Sequence, residues 1–70
     1  MSYKDHELVN FSEEYELNYH LKKVNKRQTI ANRAELVKMG DELKTSLDKR
    51  VLNHGEFHDY VKTQLYRLES

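Results

Sequence analysis

Cysteine, proline and tryptophan are absent from this chain, glycine occurs only twice, and 12 basic residues balance 12 acidic ones. Each absence closes off a class of explanation. Without cysteine there are no disulfides, no thiolate-bound metals and no thiol nucleophiles, which fits a reducing compartment. Without proline, and with only Gly40 and Gly55 as glycines, few positions oblige the chain to turn, and good helix formers fill most of the rest. A formal net charge of zero gives no global field toward nucleic acid or an anionic membrane, so any electrostatic role is local. No run approaches the roughly 20 apolar residues of a membrane span, and the first residues lack the basic start and apolar core of a signal peptide. A cytoplasmic location without membrane attachment is expected.

Five tyrosines and two phenylalanines sit among regularly recurring aliphatics, and this contact area argues against disorder despite a charged fraction of 34%. Residues 1–70 read as a single small helical domain. A chain of this size buries only about 60% of its unfolded surface, so it is marginally stable unless something staples it. With disulfides excluded, oligomerisation is the remaining staple, and a homo-oligomer is expected.

The expected architecture is all-α: a small three-helix bundle, or a helical hairpin plus an N-terminal helix, in a dimer. A first helix starts at Asn10 and Glu13, a capping-box spacing, or at Ser12, and runs to about Asn25. A second starts at Thr29, and a third at Asn53, with Glu56 answering three residues later. In the first helix Leu8, Phe11, Tyr15 and Tyr19 share one side while Leu17, Leu21 and Val24 lie nearly opposite, which predicts two neighbours. The alternative is an N-terminal β-hairpin followed by two helices, with Tyr15, Leu17, Tyr19 and Leu21 alternating on a strand paired to residues 7–11. In the second helix Ile30, Ala34 and Val37 line one side and Leu36, Leu43, Leu47 and Val51 another, which predicts a kink or break near Gly40. The second helix then turns at Gly55, or continues to residue 69 as one coiled-coil strand.

Steps of three and four residues carry an apolar seam from Leu36 through Gly40, Leu43, Leu47, Val51, His54, His58, Val61 and Leu65 to Leu68. The self-association surface is therefore expected on Leu43, Leu47, Val51, Val61, Leu65 and Leu68. A separate partner-binding surface is expected on Tyr15, Leu17, Tyr19 and Leu21, because tyrosine pairs an apolar ring with a hydrogen-bonding hydroxyl.

Lys22, Lys23, Lys26, Arg27 and Arg33 form a basic run without an intervening acid, preceded by Asp5, Glu7, Glu13, Glu14 and Glu16. Such a run can grip phosphates, although acids at a helix start and bases at its end are also what the helix dipole favours. Residues 28–36 match the opening of a helix-turn-helix, with Ile30, Ala31, Ala34 and Leu36 in place. The second half fails: Glu35 stands at the turn position, and Asp41 and Lys44 where apolar residues belong. His54 and His58 have the spacing of two ligands on one helix face, with Glu56 and Asp59 nearby, but no third distant ligand is identifiable and no metal or other cofactor is expected. They read first as partly exposed histidines at a loop; set in an apolar seam, they would instead loosen the assembly below about pH 6.5.

No phosphate-cradling loop and no nucleophile beside a base can be recognised, and an enzyme is not expected. The sequence reads as a non-enzymatic helical interaction module, a small regulator, adaptor or inhibitor that self-associates and binds a protein partner. The alternative is a dimeric nucleic-acid-binding regulator using residues 22–33.

Overall fold

The computed structural model describes residues 6–70, which form three α-helices. They are α1 (Glu14–Lys23), α2 (Ile30–Leu47) and α3 (His54–Thr63), followed by a 3₁₀ turn at Leu65–Arg67. The chain is all-α among the described residues, as the composition and spacing predict.

Two of the three predicted helix starts stand where the capping residues place them. The Thr29 hydroxyl accepts the Asn32 amide at 3.1 Å and opens α2. At α3, Asn53 Oδ1 accepts the Glu56 amide at 2.8 Å while Glu56 Oε1 accepts the Asn53 amide at 2.9 Å, a complete capping box. The first helix begins later than expected. Asn10 spends its side chain on the Ser12 amide and its carbonyl on the Glu13 amide, so residues 10–13 form a turn and no side chain caps Glu13.

The helices end without glycine. Asn25 and Asp48 take the left-handed conformation, with φ 60° and 54°. Past α1, the Lys26 amide reaches the Leu21 carbonyl and the Asn25 amide the Lys22 carbonyl; Lys49 and Asp48 repeat the pattern onto Lys44 and Thr45. These are two Schellman closures, in which a short polar side chain tolerates a backbone that glycine usually supplies. The turn after α2 therefore falls at Asp48, and Gly55 lies inside the first turn of α3. The uninterrupted helix from 29 to 69 and the turn at Gly55 are both overturned.

Helix α2 also runs unbroken through Gly40 and through Glu35, so neither the kink nor the turn of a helix-turn-helix forms. Gly40 serves packing instead. A Cβ there would lie 2.6 Å from Cε1 and Cζ of Phe11, whose ring rests on the helix, meets Phe57 edge to face at 4.9 Å and carries Lys44 Nζ above it at 4.7 Å.

One buried face per helix builds the core: Leu17 and Leu21 from α1, Leu36, Met39 and Leu43 from α2, Phe57 and Val61 from α3, with Val9, Leu52 and Leu68 from the connections. Of the predicted second stripe of α2, Val37 packs against the margin of this core, while Ala34 is exposed and Ile30 is 80% exposed. The predicted second apolar side of α1 is likewise open at Tyr15 and only half-buried at Tyr19. The N-terminal hairpin is replaced by a different pairing. Leu8 bridges Asn53 in antiparallel fashion, held by the Val9 amide on the Leu52 carbonyl and the His54 amide on the Glu7 carbonyl, both 2.8 Å. Residues 7–10 thus lie as a strap across the α2–α3 connection.

Candidate functional site

Next to that strap, and hydrogen-bonded to it at Glu16 and at the His54 amide, lies a chain of buried titratable groups. Glu16 and His20 stand one turn apart on α1, beside the core residues Leu17 and Leu21, and His54 opens α3 opposite them. His20 and His54 are essentially inaccessible, at 0% and 1% exposure. His20 Nε2 and His54 Nδ1 are 2.8 Å apart, and the ring planes differ by only 10°. The two imidazoles are therefore joined edge to edge through their nitrogens. His54 Nε2 lies 3.4 Å from Glu16 Oε1, an electrostatic contact longer than an ordinary hydrogen bond. The same Glu16 oxygen accepts the Asn10 amide at 2.8 Å.

The partners fix the tautomers. A carboxylate only accepts, so His54 carries its proton on Nε2 toward Glu16. Its Nδ1 then accepts from His20 Nε2–H, and the lone pair of buried His20 Nδ1 finds no hydrogen-bond partner among the described residues. Phe57 and Tyr19 meet the His20 ring edge to face at 4.9 and 5.3 Å, and His58 stands tilted at 6.4 Å. Burial foremost, then repulsion from any charge on His54, His58 and Lys23, holds the His20 imidazole down at about 3. Burial also lowers His54, against the opposing pull of Glu16 and Glu7. Both rings are neutral at physiological pH. Their nitrogens face each other and a carboxylate inside the fold.

The ligand geometry weighed around His54 and His58 does not assemble. Glu56 is committed to its capping box and to Lys49 at 2.7 and 2.9 Å, and Asp59 lies 3.8 Å from Lys62. Among the described residues no three histidine or acidic side chains converge as metal ligands.

The six residues assigned to self-association are divided by the fold. Leu43, Val61 and Leu68 belong to the core of the single chain, and Leu65 packs partly against it. Buried side chains offer nothing to a second copy, so the seam as one continuous surface is corrected: only Leu47 and Val51, at 44% and 48% exposure, face outward. The partner-binding set divides in the same way. Leu17 and Leu21 are core residues, Tyr19 is half-buried against the histidines, and Tyr15 is exposed. Their alternation along a strand is lost on a helix, where Leu17 and Leu21 share the inner face.

Of the basic run, Lys22, Lys23 and Arg27 are exposed and Lys26 is half-buried. Arg33 is drawn inward, to Glu14 at 3.3 Å, the Asn18 side chain at 3.1 Å and the Gln28 carbonyl at 2.9 Å. Lys23 Nζ sits 5.5 Å from the Tyr19 ring centre. Lys22 and Lys23 end α1, where the helix dipole accounts for them.

Two further polar clusters tie the C-terminal residues down. Buried Asn32 donates from Nδ2 to the carbonyls of Arg27 and Glu69 at 2.8 and 3.0 Å and accepts the Glu69 amide at 2.8 Å. Arg67 grips both carboxylate oxygens of Glu42 at 2.8 Å and donates from Nε to Glu35, while the Tyr60 hydroxyl donates to Glu42 at 2.9 Å. These bonds hold the Glu42 carboxyl down at about 2. None of Glu16, His20, Asn32 and Arg67 is singled out by motif. For the first two a signal exists: Glu16–Leu17 and His20–Leu21 repeat at four residues, which puts a carboxylate and an imidazole beside the apolar stripe.

Compared with known proteins, the chain matches no protein-family model, no curated protein and no solved structure.

Proposed function

We propose that the protein is a non-enzymatic interaction module, a small regulator, adaptor or inhibitor that works by self-association and by binding another macromolecule. The observation that carries this reading is the apolar end formed at the strap. Pairing of Leu8 with Asn53 turns Val9 and Leu52 inward and Leu8 and Val51 outward, because side chains alternate across paired strands. Leu8 is 58% exposed and stands diagonally from Val51, within reach of a shared contact. Leu47 closes α2 just ahead of them. Exposed aliphatics grouped at one end suit a contact surface better than solvent. None of the described helices is long and apolar enough to cross a membrane.

Light scattering behind a sizing column, at low micromolar concentration and pH 7.5, tests self-association. The wild type is expected at a multiple of the single-chain mass and a Leu8→Ser/Val51→Ser double variant at the single-chain mass with unchanged helicity. A wild type that stays monomeric as concentration rises removes self-association from the reading.

The second reading, nucleic-acid binding, is favoured by the exposure of Lys22, Lys23 and Arg27 on one short stretch. It predicts duplex binding that weakens steeply from low to physiological salt and disappears in the alanine triple variant. No binding at low salt ends it.

A further inference from the structure

We propose that Glu16, His54 and His20 form a proton-operated latch that fastens the strap of residues 7–10 and releases it when the histidines become charged. The inference stands independently of the reading above. It begins with connectivity, because three hydrogen bonds of the strap run to this cluster or its flanks. The His54 amide donates to the Glu7 carbonyl, the Asn10 amide donates to Glu16 Oε1, and the Val9 amide donates to Leu52 two residues before His54. A displacement of either His54 or Glu16 therefore breaks a bond to the strap.

The cluster cannot accept a proton in place. His20 Nδ1 holds the lone pair that would take it, and that buried atom has no hydrogen-bond acceptor among the described residues to receive the new N–H. Protonated there, His20 becomes a buried cation bonded to a second imidazole at 2.8 Å and wedged against the edges of Phe57 and Tyr19. Protonation of His54 on Nδ1 is no easier, since it turns that nitrogen into a donor facing the donor of His20. The groups that act on the two rings come from every element around them. They are Glu7 on the strap, Glu16, Tyr19 and Lys23 on α1, and His58 on α3; only Glu7 and Glu16 favour the charged form, while Lys23 and the neighbouring histidines oppose it. The rings gain protons when an element beside them moves away, and the strap, bonded to the His54 amide and to the Glu16 carboxylate, is the element whose ties such a movement breaks. Its fastening is a single bridge without a continuing ladder among the described residues, a pairing that is marginal by itself.

The test is amide hydrogen exchange by NMR at pH 7.5, 6.5 and 5.5, expressed as protection relative to the unstructured rate at each pH. The amides of Val9, Asn10 and His54 report the strap; those of Leu36, Met39 and Leu43 report the core of α2. Expected is lower protection in the strap than in α2 at every pH, falling about tenfold per pH unit below 6.5 for each histidine that takes up a proton on opening. The carboxylates held below their usual range, Glu42 and Glu56, do not titrate in this window. A His20→Gln variant keeps a donor toward His54 Nδ1 but cannot titrate, and its strap slope is expected to be shallower. Strap protection that does not change with pH overturns the proposal, as does strap protection equal to that of α2 throughout, which means that only the whole fold opens. If the variant does not fold, the wild-type imidazole resonances decide: His20 and His54 titrating near 6.5 while the strap stays protected overturn the latch.

Discussion

At the scale of single residues, buried polar side chains do work that apolar replacements cannot take over. Asn32 meets three backbone groups of Arg27 and Glu69 at once, satisfying a buried amide with no water needed. An Asn32→Leu variant keeps the volume but strands those groups, and a loss of about 2–3 kcal/mol is expected in urea unfolding. Gly40 offers a sharper test, because two effects of opposite sign meet there. Alanine in a helix interior gains roughly 1 kcal/mol over glycine, but its methyl would collide with the Phe11 ring, and overpacking typically costs about 1–3 kcal/mol. Gly40→Ala is expected to destabilise the wild type and to stabilise a Phe11→Ala background, a change of sign that a double-mutant cycle reads directly.

At the scale of elements, what could be read from the sequence divides along local and long-range physics. Thr29 and Asn53 mark their helices because capping is settled within four residues. The same holds for the overall helical class, which rests on the scarcity of breakers. The helix ends were less legible. Gly40 and Gly55 looked like punctuation, yet Asn25 and Asp48 do the turning, and an asparagine or aspartate in the left-handed region cannot be told from the many that cap or face solvent. The Asn10 and Glu13 signature failed for a similar reason, since Asn10 makes a turn of its own and the Glu16 carboxylate serves its amide. The candidate surfaces were least legible of all. Helical spacing identifies an apolar face but not what covers it, so Leu43, Val61 and Leu68 read as an interface when they are the core. Two predictions belong here. Asp48→Gly is expected to raise stability by about 0.5–1 kcal/mol, by relieving a left-handed backbone and removing a negative charge from the C-terminal end of α2. Thr29→Ala is expected to lower it by about 1 kcal/mol. Thermal and urea unfolding of the two variants check both.

At the scale of the whole molecule, the buried histidines set the dependence of stability on pH. His20 is held at about 3 in the fold against 6.5 when unfolded, so the unfolded chain binds the extra proton throughout that interval. The contribution of neutral His20 is complete above 6.5 and is lost as pH falls toward 3, at about 1.4 kcal/mol per unit. Between pH 6.5 and 5 the loss is about 2 kcal/mol, with His54 adding to it in the same direction, from a total of the order of 5 kcal/mol for so small a domain. A melting temperature lower by roughly 8–16 °C at pH 5 than at pH 7 is expected, and His20→Gln is expected to flatten the difference. The strap has one more consequence, and it concerns time. Leu8 and Asn53 are joined across most of the chain, whereas helices form from near neighbours. Closing that loop rewards the chain only after α1 and α3 have docked, so the strap is laid down last on the way to the native state and lost first on the way out. Weakening it with Val9→Ala is then expected to quicken unfolding while leaving the folding rate nearly untouched. Stopped-flow chevrons would place the N-terminal segment as the part of this molecule that governs how long the folded state lasts, rather than how fast it is reached.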